Sequence, residues 1–598
     1  MEMATSRMKS QTQTADYISE IPSLPAAFFK QVETSAIHPA QWFRRDGDYI
    51  PITYEMLSER IKHVASGLML AGVKPGDRIA IVMENRPEWA VIDYAILSIG
   101  AVTVPLYCSY RPQDMAYVLD DCDASMVFTS GGHLLRDLKK AVESCKAVKR
   151  IYAVDEAGDD GLVANLSEIE TCEIDEERLM GRVSKIDRDQ LATLVYTSGT
   201  TANPKGVMLS HGNILTNLET VPAVIELLPD EKMLSFLPLA HVLERTGGHF
   251  LPYTYGISVA FAERPDTVAK NLTEAQPTLM ISVPRMLEVV RSRVLAQVAK
   301  QSALKQKLFR LYFELATKKS SGLLSDLIYK VLNMLVGEKI RDRFGGRLRA
   351  LVSGGAPLGR DVGLFFEAVG LPVLEGYGLS ESSPLLAVNP MHDRRIGTVG
   401  LIAKGVEIKI AEDGEIIARG GNIMSGYWKN RKATKEALID GWLHTGDIGE
   451  FDEDGYLRIT DRKKDIIVNS GGENIAPQRV EAPLVVEPLI DQVVVYGDQR
   501  PYLVAIVVPN KEACSSWASE QGLPKSGWAE LASSDVLRKH IQNKIQQHLK
   551  PLNSFEQIRR IHIQADPFTV ENGFLTPTMK LKRRNIYREF ADIFEALY

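Results

Sequence analysis

Cysteine is scarce in this chain of 598 residues, and basic residues are not in excess. The five cysteines are scattered, odd in number and without a C-x-x-C pair, which indicates a reducing compartment and no zinc cluster. The formal net charge of −6 offers no basic surplus to displace counterions from a nucleic acid. We therefore expect no nucleic-acid partner.

Long uninterrupted apolar runs are missing as well. The longest run, residues 90–107, contains Asp93, Gly100 and Pro105, whereas a membrane span needs about 20 apolar residues in succession. We interpret this run as a buried helix followed by a buried strand. The N-terminal residues also lack the apolar segment of a signal peptide. A cytoplasmic protein is expected; peripheral contact with a membrane is left open, and the oligomeric state is unknown.

Alternating strand-like and helical patterns are present from about residue 50 to 290. This alternation predicts an α/β fold with βαβ layers and a largely parallel sheet. The strand-like runs are 78–83, 124–130, 149–154, 193–198 and 278–283.

The later part of the chain turns to short strands, with hairpins predicted at the Asp-Gly pairs 413–414 and 454–455. The charged stretch "DRKKD" indicates a boundary. We predict a large N-terminal domain with a β-rich subdomain over 1–460, a hinge over 461–465, and a smaller mobile α+β domain over 466–598.

A helical segment lies between residues 295 and 345. Its apolar residues have helical spacing and favour a core-facing helix pair; the alternatives are a wall of an apolar ligand channel or a ridge that faces a membrane. These residues are Leu324, Leu327, Ile328, Val331, Leu335 and Val336.

Residues 197–206, "TSGTTANPKG", follow a strand-like run. Successive backbone N–H groups, several hydroxyls and the mobile charge of Lys205 suit a polyphosphate, and Gly199 and Gly206 permit close approach. The order of residues is not that of the P-loop, which runs straight into a helix after Gly-Lys. The alternative is a flexible surface loop.

Two glycine clusters, 353–358 and 374–382, each follow an apolar run, where open α/β sheets bind ligands. Tyr377 offers a flat face to a base. Glu381 stands among small residues that leave room for a hydrated Mg²⁺ beside phosphate oxygens. The alternative is a turn with an exposed acid.

Three further candidates are weaker in isolation. Asp447 in "GWLHTGD" could accept hydrogen bonds from ribose hydroxyls with Arg462 nearby, although a turn aspartate with a surface arginine is as ordinary. Lys580 in "FLTPTMKLKRR" is either part of a solvated helix face or a reaching cation on a mobile domain. His241 in "LPLAHVLER" is more often a core histidine than a catalytic one.

Five segments in this order resemble the core motifs of the adenylate-forming (AMP-forming) superfamily, which contains acyl-CoA synthetases, luciferases and nonribosomal adenylation domains. They are "YTSGTTANPKG", "EGYGLSES", "GWLHTGD", "DRKKDIIVNSGGENIAP" and "TPTMKLKRR". The resemblance covers residues 45–590. "LPLAHVLER" and "RDRFGGRLRALVSGGAPL" are most similar to long-chain fatty acid CoA ligases. Ala202 stands where the family usually has glycine, which implies a tuned activity.

The resemblance implies a role for each site residue. Phosphates would be held by Thr197, Ser198, Gly199, Thr200, Thr201 and Lys205. Adenine would lie against Gly354, Gly355, Ala356, Tyr377 and Gly378. Glu381 and Thr200 would bind Mg²⁺, and Asp447 and Arg462 would bind the ribose. His241 would line the acyl pocket, and Lys580 would bridge the carboxylate and the α-phosphate. The small domain would turn about Lys464, and CoA would gain access through Gly471 and Gly472.

The implied activity uses ATP, Mg²⁺ and CoA. A long-chain fatty acid would become acyl-AMP with release of pyrophosphate, and then acyl-CoA with release of AMP. The alternatives are a carrier protein as acceptor, a medium-chain or aryl acid as substrate, a kinase-like ATPase that releases ADP, or a ligand-sensing relative without catalysis.

Overall fold

The computed structural model describes residues 18–156, 161–197, 204–318, 323–523, 527–576 and 580–598. It has a mixed α/β fold, as predicted, and consists of two compact units. The first contains the residues up to Lys409, Ile417–Thr445 and Phe451–Leu457; the second contains Ile410–Ile416, Gly446–Glu450 and Arg458–Tyr598.

An eight-stranded sheet forms one half of the first unit. Its inner strands are parallel. The segment between Thr197 and Lys205, which we call the hydroxyl-rich loop, joins two antiparallel strands, Leu191–Thr197 and Lys205–Ser210. The strands lie in the order Gly426–Tyr427, Lys205–Ser210, Leu191–Thr197, Val102–Leu106, Arg78–Val82, Met126–Thr129, Arg150–Ala153 and Val163–Asn165.

A nine-stranded sheet forms the other half. Its central strands are parallel and pair in register along continuous apolar runs, as expected for strands covered on both faces. The order is Leu401–Ile402, Leu385–Val388, Val373–Gly378, Ala350–Ser353, Leu279–Ser282, Lys232–Ser235, Ser258–Phe261, Pro39–Arg45 and Asp48–Thr53. All five strand-like runs of the sequence are strands, so those predictions are confirmed.

Helices cover both sheets of the first unit. Those of seven or more residues are Leu24–Ser35, Tyr54–Leu70, Pro87–Ser98, Pro112–Asp121, Gly132–Val142, Glu176–Val183, His211–Leu218, Val268–Ala275, Pro284–Ala299, Ala303–Lys318, Leu323–Leu332, Arg360–Ala368 and Arg431–Ala437. Among the described residues, no helix combines the length and the apolar character that crossing a membrane requires.

The longest apolar run of the sequence is a buried helix, Pro87–Ser98, followed by the buried strand Val102–Leu106, as predicted. Asp93 lies inside it, fully buried, with Arg245 Nη2 at 2.6 Å and His249 Nε2 at 3.0 Å from its two oxygens. Burial opposes ionisation, yet Arg245 and His249 hold the pKa of Asp93 below its usual value. Removing one partner of such a pair costs about 3–5 kcal/mol.

The helix pair Ala303–Lys318 and Leu323–Leu332 corrects one prediction. Five apolar residues that we expected to face the core are exposed instead: Leu324, Leu327, Ile328, Val331 and Leu335. Val336 does pack against the buried apolar residues of the first unit. The inward face of the second helix is formed by Tyr329 and Leu332, so helical spacing identified the helix and assigned the wrong side to the core.

The second unit contains a three-stranded sheet, Ile490–Tyr496, Leu503–Pro509 and Ile558–Ile563, and a short pair, Ile467–Val468 and Asn474–Ile475. Its helices are Pro477–Glu481, Lys511–Glu520, Trp528–Ala532, Asp535–Leu549, Arg583–Glu589 and Ala591–Ala596. Five further strands lie in the stretch divided between the units: Val406–Ile410, Glu415–Gly420, Leu438–Ile439, Trp442–Phe451 and Leu457–Arg462. The domain limits and the hinge at 461–465 stay predictions.

Candidate active site

The two strands that flank the hydroxyl-rich loop form a hairpin. Thr197 ends one strand and lies opposite Lys205, which begins the other. The described residues on either side of the loop, Thr197 and Lys205, are therefore neighbours in the sheet. Ser198, Gly199, Thr200, Thr201 and Ala202 lie outside the described residues.

Lys205 belongs to a chain of three contacting side chains. Its ammonium lies 4.9 Å from the centre of the Tyr427 ring, a distance that permits a cation–π interaction. The Tyr427 hydroxyl donates a hydrogen bond of 2.7 Å to Oε1 of Glu381. Tyr427 is there because the short strand Gly426–Tyr427 pairs with the strand that Lys205 begins. Burial, and then the neighbouring carboxylate of Glu381, raise the pKa of Tyr427 and keep it a neutral donor.

Buried amides hold the turn that carries Glu381. Asn217 and Asn422 each donate to the carbonyl oxygen of Ser382, at 3.2 and 3.1 Å. The backbone N–H of Met424 donates to the carbonyl oxygen of Glu381 at 2.9 Å. The carboxylate therefore projects from a backbone that is fixed on both sides.

The residues proposed to contact adenine follow two neighbouring parallel strands. Gly354, Gly355 and Ala356 come after Ala350–Ser353, which pairs with Val373–Gly378, the strand that contains Tyr377. Gly378 has no room for a side chain, since a Cβ there would lie 1.6 Å from the carbonyl oxygen of Pro384. The structure thus brings this group to one edge of the nine-stranded sheet.

Glu375 forms a hydrogen bond to the backbone of the glycine cluster 353–358. Its Oε1 accepts a hydrogen bond of 3.1 Å from the backbone N–H of Leu358, the last residue of that cluster. Burial raises the pKa of Glu375 to about 7, because little else offsets the loss of water around its carboxylate.

His241 begins the short helix Val242–Glu244 and accepts a hydrogen bond of 3.2 Å at Nδ1 from the backbone N–H of Leu243. This helix-capping contact is a structural role. Its predicted place in an acyl pocket stays a prediction.

In the second unit, the predicted ribose-binding pair is in contact. Nε of Arg462 lies 3.0 Å from Oδ1 of Asp447. Asp447 is buried on the strand Trp442–Phe451, whereas the side chain of Arg462 is 43% exposed. The next residue, Lys463, pairs with Asp413 and Glu415 at 2.6 and 2.9 Å, and Lys464 is exposed.

Gly471 and Gly472 form the tip of a tight loop between the strands Ile467–Val468 and Asn474–Ile475. Oδ1 of Asn469 accepts hydrogen bonds from the backbone N–H groups of Gly471 and Glu473, both at 2.9 Å. Gly472 has φ +81°, a conformation that favours glycine. The loop is therefore narrow and internally braced.

Lys580 lies in the second unit, ahead of the helix Arg583–Glu589. Its backbone N–H donates to the hydroxyl of Thr576 at 3.1 Å, and its carbonyl oxygen accepts from the N–H of Thr576 at 2.8 Å. This reciprocal pair fixes the backbone of Lys580, and its side chain is half-buried.

The donor set of the first unit fits Mg²⁺. No group of three or more metal-ligating side chains occurs among the described residues. Mg²⁺ commonly takes one or two protein carboxylates and completes its shell with water and phosphate oxygens, so the single oriented carboxylate of Glu381 suits it.

The sequence pointed to Lys205 and Glu381 but not to the residues that connect and support them. Tyr427 stands in "SGYWK", where a glycine followed by two aromatic residues was the available signal. Asn217, Asn422 and Glu375 gave no signal, because their partners lie far away in the chain or on a neighbouring strand.

Comparison with known families shows to which family the chain belongs. Residues 28–428 match the AMP-binding enzyme family, and residues 464–598 match the AMP-binding enzyme C-terminal domain. The chain belongs to the AMP-binding enzyme family. A long-chain-fatty-acid–CoA ligase of Mycobacterium bovis is 37% identical over 92% of this chain and 93% of the relative. Long-chain-fatty-acid–CoA ligase 6 of Mus musculus is 31% identical over 97% of this chain and 87% of its own.

Two solved structures share the fold. The adenylation domain of a carboxylate reductase from Mycobacterium chelonae matches with a TM-score of 0.76 and 22% identity, over 100% of this chain and 97% of that one. An anthranilate CoA ligase in complex with anthranoyl-AMP matches with a TM-score of 0.73 and 20% identity, over 97% of this chain and 100% of that one.

Proposed function

We propose that the protein is a long-chain fatty acid CoA ligase that forms AMP. The contacts that connect Lys205, Tyr427 and Glu381 carry this proposal, because Lys205 begins the strand that follows the hydroxyl-rich loop. A cation and an oriented carboxylate are the groups that suit a polyphosphate and its Mg²⁺. Relatives named as long-chain-fatty-acid–CoA ligases match nearly the whole chain.

The first step makes the acid reactive. A free carboxylate is a poor acyl donor, because its leaving group would be oxide. A carboxylate oxygen attacks the α-phosphorus of ATP, a new P–O bond forms, and the bond to pyrophosphate breaks. The obstacle is the approach of one anion to another. Lys205 on the phosphates and Lys580 between the carboxylate and the α-phosphate would lower it by fixed positive charge.

Glu381 would hold Mg²⁺, with Thr200 of the hydroxyl-rich loop as a second ligand. Bound Mg²⁺ supplies positive charge to the phosphate oxygens. The hydroxyl of Tyr427 would orient Glu381 through its hydrogen bond, and the ring of Tyr427 would hold the ammonium of Lys205 near the same carboxylate. Tyr377 and the glycine cluster 354–356 would hold adenine, and Asp447 with Arg462 would hold the ribose.

The second step transfers the acyl group to sulfur. The thiolate of CoA attacks the carbonyl carbon, and AMP leaves with the electrons of the C–O bond. We propose that residues 466–598 turn about the hinge 461–465, with Lys464 as pivot. Lys580 withdraws, and the narrow loop of Gly471 and Gly472 enters to admit the pantetheine arm.

The acid and the acceptor are the finer parts of the proposal. One buried CH₂ group is worth about 0.8 kcal/mol, so the pocket, with His241 at its wall, distinguishes acids by length. A medium-chain or aryl acid is the alternative substrate, and a carrier protein is the alternative acceptor. We further propose a cytoplasmic protein that makes peripheral contact with a membrane.

A panel of acids of graded chain length, with and without CoA, tests the proposal. With CoA present, we expect pyrophosphate and AMP in equal amounts, formation of a thioester, and the highest kcat/KM with a long-chain acid. Without CoA, we expect no thioester and no release of AMP. Release of ADP and phosphate would indicate the kinase-like alternative. Loading of a carrier protein without free acyl-CoA would indicate the other acceptor, and the absence of pyrophosphate with every acid would contradict adenylation.

A further inference from the structure

An exposed apolar surface lies on the first unit, on the helix Leu323–Leu332 and the π-helical turn Asn333–Gly337 that follows it. We call this surface the apolar ridge. It consists of Leu324, Leu327, Ile328, Val331, Met334 and Leu335. The spacing of three, one, three, three and one residues places all six along one side of the helix.

The ridge is not required by the core of the unit. The opposite side of the same helix already packs inward, through Leu332 and through Tyr329, whose ring stacks on that of Tyr312 at 5.8 Å. Leu324 is nevertheless 72% exposed, Leu327 60% and Met334 63%. A contiguous apolar patch of this kind marks a surface that binds something.

Basic residues accompany the ridge. On the adjacent helix Ala303–Lys318, Lys307 and Arg310 are exposed on the same arc as the exposed Leu304 and Leu311. Lys305 and Lys330 add two further exposed cations, against the exposed acids Glu314 and Asp326. The two adjacent helices therefore combine exposed hydrocarbon with an excess of exposed positive charge, while the whole chain is acidic.

We propose that the apolar ridge docks on the surface of an anionic lipid bilayer. Apolar side chains would enter the boundary of head groups and acyl chains, and the flanking cations would meet the lipid phosphates. A second copy of the chain fits less well, because a two-fold interface would bring the same basic residues face to face. The inference rests on the proposed peripheral membrane contact and gives it a surface, but it does not depend on the reaction.

Co-sedimentation of the full chain with vesicles tests the proposal, using phosphatidylcholine with and without phosphatidylglycerol. The ridge variant is Leu327→Gln with Val331→Gln, and the charge variant is Lys307→Glu with Arg310→Glu. Matched controls elsewhere on the unit are Ile37→Gln with Leu70→Gln, at positions that are 79% and 70% exposed, and Lys146→Glu with Lys149→Glu.

We expect the wild-type protein to bind phosphatidylglycerol vesicles, and more weakly as salt increases. The ridge variant should lose roughly tenfold in partitioning to both kinds of vesicle. The charge variant should lose about fivefold for each cation replaced, with phosphatidylglycerol only. Both controls should bind as the wild type does.

The proposal fails if the wild type does not bind either vesicle, or if ridge and control variants bind alike. It also fails if sedimentation velocity shows a dimer that the ridge variant dissociates while vesicles are not bound, since a second copy would then cover the ridge. Pyrophosphate release with the panel of acids of graded chain length is measured on the same samples. Its absence with every acid would contradict the proposed reaction and leave the vesicle result standing.

Discussion

The charged groups proposed for the first step occur in two different settings. In the first unit, Lys205 and Glu381 are connected through Tyr427, on a turn that buried amides hold. In the second unit, Lys580 has its backbone fixed by Thr576 but belongs to a separate compact unit. The difference suggests a division of labour. A substitution at Lys205, Glu381 or Tyr427 should weaken the binding of ATP and Mg²⁺, so that higher ligand concentrations restore the rate. A substitution at Lys580 should lower the rate in a way that higher ligand concentrations do not restore.

Lys580→Ala gives the largest expected effect. Adenylation should fall about 10²–10³-fold, as for the loss of one preorganised donor to developing charge, and added Mg²⁺ should not restore it. Conversion of preformed acyl-AMP and CoA to acyl-CoA should persist, because Lys580 has withdrawn by then. The measurements are pyrophosphate release and thioester formation. Lys582→Ala, two residues away, is the control, and an equal loss in both half-reactions would remove the proposed division.

Glu381→Gln should lower pyrophosphate release about 10²-fold at a fixed, low Mg²⁺ concentration. The amide keeps the shape of the side chain but not the charge, so the Mg²⁺ concentration needed for half-maximal rate should rise. A titration of rate against Mg²⁺ measures this. The exposed Glu367→Gln is the control, and an unchanged titration would show that Glu381 does not hold the ion.

Tyr427→Phe should have a smaller effect, a roughly tenfold loss in adenylation, because the ring beneath Lys205 remains and only the hydrogen bond to Glu381 is lost. Tyr427→Leu, which loses both contacts, should lose more. Binding of Mg²⁺ with ATP, measured by calorimetry, should weaken in parallel. Tyr255→Phe, which removes a hydroxyl bonded to Leu218, controls for stability. Wild-type affinity in both Tyr427 variants would contradict the positioning role.

The smallest effect concerns stability and pH. The pKa of Glu375 is about 7 in the folded protein, against an ordinary 4.5. Between these values the unfolded chain has released the proton that the folded chain keeps, so the free energy of unfolding should decline as pH rises through this window. After allowance for water penetration, we expect a decline on the order of 1–2 kcal/mol, absent in Glu375→Gln.

Denaturant unfolding at several pH values between 5 and 8 measures this decline. Glu436→Gln, at an exposed glutamate of the same unit, is the control. If the curves of the wild type and Glu375→Gln run parallel, the buried carboxyl does not retain its proton in this range.

Much of the fold was predictable because its signals are local. Buried parallel strands are short apolar runs between helical patterns, and all five such runs are strands. The side of a helix that faces the core is a tertiary property. In residues 323–337 both sides of the helix carry apolar residues. Helical spacing therefore predicted Leu327 and Val331 as core residues, whereas Tyr329 and Leu332 face the core.

The residues of the candidate site also fall into those that local sequence signals indicated and those that depend on tertiary structure. Residues with a chemical signature in a short motif, such as Lys205, Glu381 and Asp447, were recognisable in the sequence. Asp447 and Arg462 are in contact, as their assignment to one sugar requires. Tyr427 was not recognisable, because its role arises from strand pairing with a segment more than 200 residues earlier.

The buried pair of Asp93 and Arg245 restricts how this enzyme can be recombined with its relatives. The two positions are 152 residues apart, and neither side chain has water to replace a missing counter-charge. A chimera with one crossover between them inherits the acid from one parent and the base from the other. Such hybrids should fold only where both parents carry the same pair. Because His249 also contacts Asp93, residues 93–249 form a natural block for exchange.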